Sequence, residues 1–409
     1  MFDYIKIEGF RSFKTVELNL EPLSVLIGPN GGGKSNLLDL MSLMGEAGNG
    51  LLEAGIASRG GPKSITFGFD WFRTIAVNFH FRKKEDVLYS LAAPPLPGEF
   101  LQDVTYKLAL NFHPTMTVSL EEVVEEPASR GQQPRLIVRR DADGCTFYRP
   151  RLGFSGLPRA KHKDLEDAKT IESRAELAIS QVKDSRLYPI PYELLRQFQQ
   201  WTAYRDIDVG PRAPIRLPAL VRPSVRLAPD GSNLTAVLNS IQQRHQDIWD
   251  EVVELIRTAY PEFKGIKFPP EGGDGNVALR WLEKPFQGEG VTANLLSDGT
   301  LKLLCLIAIL KSPDPPPLIC IDEPEVGLHP DWIELVAELM QSAATRTQLI
   351  VATHSPQIVA KLDPEQVIVT EKEEGETHLE RLNGQELEKW LDEFNLSDLW
   401  LAGHIGGRP

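Results

Sequence analysis

Eight residues near the N-terminus, Gly28-Pro29-Asn30-Gly31-Gly32-Gly33-Lys34-Ser35, satisfy G-x-x-x-x-G-K-[ST] at every defined position. Glycines let backbone N–H groups wrap phosphate oxygens because no Cβ stands in the way. Lys34 is placed to reach the β- and γ-phosphates of ATP and Ser35 to ligate Mg2+; Asn30, Gly31, Gly33 and Asn36 complete the expected nucleotide contacts. Far along the chain, Leu318-Ile319-Cys320-Ile321 runs into two adjacent carboxylates. Asp322 suits the Mg2+ shell, and Glu323 suits the general base that polarises an attacking water. Val351-Ala352-Thr353 then delivers His354, whose neutral imidazole can hydrogen-bond the γ-phosphate or the water. Finally, Leu296-Ser297-Asp298-Gly299-Thr300 opens an apolar helix, and Ser and Gly at a helix start suit an anion.

These residues need strands to carry them and helices to follow them. Leu23–Ile27 reads as an apolar strand and Asn36–Met44 as a helix, the required flanks of a phosphate-binding loop. Strands are expected at Leu318–Ile321, Gln348–Thr353 and 367–371, with helices at Leu301–Leu310, Asp331–Ala344 and 356–361. That alternation predicts an α/β architecture with parallel strands. Three regions follow: an N-terminal lobe 1–110, an inserted middle 111–270 and a C-terminal lobe 271–409. The first is β-rich, with strands expected at 64–70 and 74–82 and a loop at Ala93–Gly98. The middle is expected to be mixed, with helices at 162–183, 190–202 and Leu234–Ala259 around an irregular Arg212–Pro229. No heptads are sustained, so long coiled-coil arms are not expected.

Composition narrows the partners. A chain of 409 residues with 42% apolar content can bury a large core. No apolar run reaches the roughly 18–20 residues of a membrane helix, and the start does not read as a signal peptide, so a cytoplasmic location is expected. Cys145, Cys305 and Cys320 have neither disulfide nor zinc spacing and are expected in the core. The net charge of −13 argues against indiscriminate nucleic-acid binding. Yet Arg130–Arg226 holds 19 Lys+Arg against 11 Asp+Glu. Arg135, Arg139, Arg140, Arg149 and Arg151, with Arg212, Arg216, Arg222 and Arg226, either meet an anionic partner such as DNA or pair with acidic surfaces of the outer regions.

The order of the motifs resembles the head of an ABC-type ATPase, in its SMC/RecF/OLD-like branch. Gly9-Phe10-Arg11-Ser12-Phe13 before the loop is similar to segments of SMC and RecF proteins, and Asp322 to Pro330 to the OLD-like "predicted ATPase" group. Asp230-Gly231-Ser232-Asn233-Leu234 and Gly406-Gly407-Arg408-Pro409 also resemble that group. The resemblance implies that Arg11 approaches the nucleotide. It implies that Ser297, Asp298 and Gly299 contact ATP held by a second copy, so that ATP closes a homodimer which hydrolysis reopens. Two departures stand out. The helix start reads Ser-Asp-Gly rather than Ser-Gly-Gly, which sets a carboxylate beside the γ-phosphate. No Gln occurs between Asn36 and Leu101, where the family's water- and Mg-contacting Gln falls, so slow turnover is expected. About 40 residues follow the last expected core strand, too few for the Toprim-like nuclease that OLD-like proteins often carry. Two roles remain open: a DNA-associated repair or genome-maintenance ATPase, and a regulatory ATPase controlling a separate effector, such as a nuclease, in anti-phage defence. Arg11, the missing Gln and Gly327-Leu328-His329-Pro330 disfavour a transporter subunit.

Overall fold

The computed structural model describes residues 1–70, 73–83, 100, 103–113, 118–127, 134–142, 144–149, 165–169, 176–273, 275–284, 288–391 and 393–406. Ala93–Gly98, Arg151 and Gly407–Pro409 lie outside them. The chain divides into two compact units. The first comprises Met1–Glu21, Pro29–Trp201 and Ile368–Arg381; the second comprises Pro22–Gly28, Thr202–Val367 and Leu382–Pro409. Of the middle region read from the sequence, 111–201 belongs to the first unit and 202–270 to the second.

The first unit is built on an antiparallel sheet. Its strands are β1 (Phe2–Phe10), β2 (Phe13–Asn19), β4 (Ile75–Phe81), β5 (Val104–Phe112), β6 (Val118–Glu126), β7 (Arg135–Asp141), β8 (Gly144–Arg149) and β9 (Leu165–Lys169), in the order β2-β1-β4-β5-β6-β7-β8-β9. In β4, Ile75, Val77, Phe79 and Phe81 are buried and the residues between are not, the period-2 pattern of a half-buried strand. The helix Pro189–Gln200 covers this face. Its Phe198 lies 5.7 Å from Phe79 and 5.0 Å from Tyr106, and Trp201 lies 5.2 Å from Phe2, ring centre to ring centre. Each such pair adds about 0.5–1.5 kcal/mol beyond simple burial. The helix α1 (Lys34–Gly48) approaches the same residues through glycines. A Cβ on Gly48 would stand 2.8 Å from Phe198 Cβ, and one on Gly45 3.0 Å from the Trp201 carbonyl oxygen. That contact offsets the roughly 1 kcal/mol that a mid-helix glycine costs.

Two expectations fail in this unit. Residues 64–70 are not a strand: Pro62 at the first helical position starts the turn Pro62–Ile65, and only Thr66 pairs, as one bridge to Phe10. The region 162–183 is not one helix either; it holds β9 and a 3-10 turn, Ala178–Gln181. That turn is tied down by Glu122, whose carboxylate accepts the N–H groups of Ala178 at 2.5 Å and Ile179 at 3.2 Å. Burial pushes the Glu122 carboxyl up, while those N–H groups and Arg140 pull it back.

The second unit carries a parallel sheet. Its strands, side by side, are β10 (Thr202–Tyr204), Leu318–Asp322, Gln348–Ala352 and β3 (Leu23–Ile27). β3 and Gln348–Ala352 are buried at every residue, as a strand covered on both faces must be. The helices Asp298–Leu310 and Pro330–Ala344 form as expected. Leu234–Ala259 is two helices, Leu234–Arg244 and Gln246–Ala259, broken at His245 (φ −137°, ψ 68°). Cys145, Cys305 and Cys320 are buried and form no disulfide. Among the described residues no helix is long and apolar enough to cross a membrane.

Candidate functional site

In the first unit the glycine-rich loop leads into α1. Gly31 (φ +75°) and Gly33 (φ +106°) occupy left-handed backbone that other residues rarely adopt. A Cβ on Gly31 would meet nothing within 4 Å, so its backbone faces open space. No side chain caps α1, which leaves its amide terminus to the loop. Lys34 is 6% exposed and its Nζ donates to the Pro29 carbonyl at 3.0 Å, folding the side chain back across the loop. Asn30 is exposed, and Ser35 is half-buried at the helix start.

Asn36 does something sequence reasoning missed. Its Nδ2 donates to Ser12 Oγ at 2.6 Å. Thr377, wholly buried on the strand Glu376–Arg381, shares a hydrogen bond with the same Ser12 Oγ at 2.8 Å and donates to the Gly32 carbonyl at 2.9 Å. A Cβ on Gly33 would stand 2.5 Å from Thr377 Oγ1. Ser12, Asn36 and Thr377 thus brace the loop from behind. Thr377→Val keeps the shape and removes both hydrogen bonds. It is expected to weaken ATP binding about tenfold, the scale of one or two lost hydrogen bonds around 1 kcal/mol each. Calorimetric titration checks this, and Thr377→Ser should bind like the parent.

Arg11 is also held by its neighbours. It has a left-handed backbone (φ +48°) and its N–H donates to the Ile65 carbonyl at 2.8 Å. Its guanidinium meets Asp39 Oδ2 at 2.6 Å, and Arg59 Nε meets Asp39 Oδ1 at 2.9 Å. Arg59 also pairs with Glu46 at 2.7 Å. Asp39 is 2% exposed, so two cations answer one buried carboxylate.

In the second unit the strand register brings the carboxylates and the histidine to one sheet edge. Asp322 pairs with Ala352, so Glu323 and His354 leave neighbouring strands within a residue of each other. Glu323 adopts φ +47°, a conformation costing about 1 kcal/mol outside glycine. It is fixed there because its N–H donates to the Ala352 carbonyl at 2.8 Å and its carbonyl accepts Lys302 Nζ at 3.4 Å. Burial lowers the Lys302 ammonium pKa, and Glu325 and Glu323 oppose that shift. The His354 N–H donates to Glu325 Oε1 at 2.7 Å, which positions the imidazole-bearing turn. Beside Asp322, at the end of β10, stands Arg205, with Nε 3.8 Å from Asp322 Oδ2. The edge position next to Asp322 is therefore filled by Arg205.

Ser297 caps the helix Asp298–Leu310 by accepting the Thr300 N–H at 3.1 Å, and its side chain is exposed. Gly299 packs on the turn after Asp322-Glu323: a Cβ there would stand 2.6 Å from the Gly327 carbonyl oxygen. Asp298 does not present a bare charge. Arg216 Nη2 meets it at 2.5 Å, and the same guanidinium donates to the carbonyls of Val209, Gly210 and Leu296 at 2.8–2.9 Å. Arg216 is thus a clamp on this segment. Arg140 is 5% exposed and donates to the Glu176 carbonyl, while Arg135, Arg139 and Arg226 pair with Glu126, Asp141 and Asp314.

Comparison with known proteins finds ATPase-domain matches and ATPase relatives. Residues 1–85 match the family described as "AAA ATPase domain", and residues 214–360 that described as "AAA domain, putative AbiEii toxin, Type IV TA system". The chain is 27% identical over 136 residues to the Retron Ec83 probable ATPase of Escherichia coli, covering 32% of this chain and 25% of that protein. It is 30% identical over 82 residues to the Retron Vc95 probable ATPase of Vibrio cholerae, covering 20% and 16%. The matches thus span a quarter or less of these relatives. Among solved structures, the SMC head bound to the C-winged helix domain of ScpA gives a TM-score of 0.56 at 13% identity, covering 94% of this chain and 99% of that one. The Pyrococcus furiosus Smc head with an extended coiled coil gives 0.55 at 13% identity, covering 96% and 98%. At that identity the likeness shows the fold. The ATPase-domain matches, the retron ATPase relatives and the SMC-head fold support an SMC/RecF/OLD-like ABC-type ATPase.

Proposed function

We propose that the protein binds and hydrolyses Mg-ATP and that ATP joins two copies through their Ser297 segments. The observation that carries this reading is the shared sheet edge of Asp322, Glu323 and His354. Lys34 binds the phosphates, and the backbone of Gly31 and Gly33 wraps them. Arg11 and Asn30 approach the same nucleotide, and Asn36 supports the loop through Ser12. The donors fit Mg2+: Ser35 and Asp322 offer hard oxygens. Mg2+, when bound, supplies charge neutralisation of the phosphates. Glu323 takes the proton of the attacking water as the bond between γ-phosphorus and the β-phosphate oxygen breaks, and His354 orients that water. Ser297, Asp298 and Gly299 face the ATP of the other copy, with Arg216 offsetting the Asp298 charge.

The switch so made serves a regulatory ATPase that holds a separate effector in anti-phage defence, in the cytoplasm. The retron ATPase relatives support this over DNA repair, and two of the arginines named for DNA, Arg140 and Arg216, are buried. Light scattering tests the dimer. With saturating ATP, Glu323→Gln is expected at twice the monomer mass, and Ser297→Arg at monomer mass with ATP still bound. A monomeric Glu323→Gln protein that binds ATP rules the dimer out.

A further inference from the structure

The geometry points to Arg205 as the resident counter-cation of Asp322, which a divalent metal must displace. The inference rests on the reading of Asp322 as a metal ligand. β10 runs parallel to Leu318–Asp322 with Tyr204 opposite Ile321, so Arg205 leaves its strand level with Asp322. The strand end cannot drift, because Tyr204 is 3% exposed and its hydroxyl donates to the Leu227 carbonyl at 2.9 Å. The guanidinium therefore stays within reach of one carboxylate oxygen, at 3.8 Å, with the Arg205 side chain 33% and the Asp322 side chain 15% exposed.

A guanidinium has no lone pair and cannot join a metal shell. It competes with one instead. A divalent ion held by Asp322 would bring twice the charge of the guanidinium, which sits at 3.8 Å, and would repel the like-charged Arg205 side chain. Arriving metal thus exchanges one cation for another at Asp322 and releases an arginine at the sheet edge.

Mn2+ in place of Mg2+ provides the probe, with free Mn2+ counted by electron paramagnetic resonance over protein loaded with ADP. Arg205→Gln and Arg205→Ala remove the competitor and are expected to tighten Mn2+ binding about threefold, the scale of a partly exposed ion pair. Arg205→Lys should stay near the parent. In an Asp322→Asn background, which itself weakens Mn2+ binding, Arg205→Ala should change nothing further. A strand-edge support alone would move the melting temperature and not the Mn2+ affinity. Unchanged or weaker Mn2+ binding in both Arg205→Gln and Arg205→Ala, with Asp322→Asn still weakened, overturns the exchange and spares the metal role of Asp322. Mn2+ affinity indifferent to Asp322→Asn overturns both. Calorimetry of ADP in EDTA separately reports whether the nucleotide reading holds.

Discussion

Glu323→Gln is expected to lower ATP turnover by about 10²–10³-fold while ATP affinity stays within about threefold of the parent, the loss typical of removing a general base. The substitution is nearly isosteric and the backbone at 323 is held by other groups. Its N–H is bonded to Ala352 and its carbonyl to Lys302, so the left-handed turn survives the loss of the carboxylate. What disappears is the capacity to accept a proton, because an amide oxygen is a far weaker base. Phosphate release at saturating ATP measures turnover, and calorimetry measures affinity. Parent-like turnover would move the base elsewhere.

Lys34→Ala is expected to remove ATP binding from the measurable range, a loss of at least about 100-fold. Lys34 supplies the only cation of the Gly28–Ser35 loop. Bonds from an ammonium to phosphate oxygens contribute about 1.5–3 kcal/mol each, so losing two of them spans roughly two to four decades. The fold should tolerate the change, since the lysine gives up one bond to the Pro29 carbonyl on a loop rich in backbone contacts. A folded Lys34→Ala protein, judged by circular dichroism and its melting curve, that binds ATP like the parent would break the assignment of the loop.

How much of this was legible in the sequence depended on periodicity and length. Leu23–Ile27, Leu318–Asp322 and Gln348–Ala352 are mostly apolar runs, holding one polar residue each (Ser24, Asp322 and Gln348), that lead into polar clusters, and such runs state both strand and edge. The helix α1 announces itself through apolar length, and Asp298–Leu310 and Pro330–Ala344 through apolar length and the caps Ser297 and His329. Residues 64–70 alternate like a strand, but Gly61-Pro62 imposes a helical start that local backbone geometry decides. His245 carries no breaker signal, so one helix was read where two stand. β10 is three residues long, too short for any period, which hid Arg205. Thr377 sits after the charged Glu371–Glu376 stretch, past the last strand expected at 367–371, so nothing in the local sequence marks it as buried. The basic middle was legible as charge and not as partner: Arg216 and Arg140 answer carboxylates and carbonyls within their own units.

The brace behind the glycine-rich loop also sets an order of events during synthesis. Thr377 bonds the carbonyl of Gly32 across 345 residues of sequence. A ribosome adding about 5–20 residues per second needs roughly 17–70 s to make that interval. Until then Ser12 and Gly32 lack one of their buried partners, and the loop has its glycines without its backing. The nascent chain therefore gains full grip on nucleotide only when the strand Glu376–Arg381 arrives.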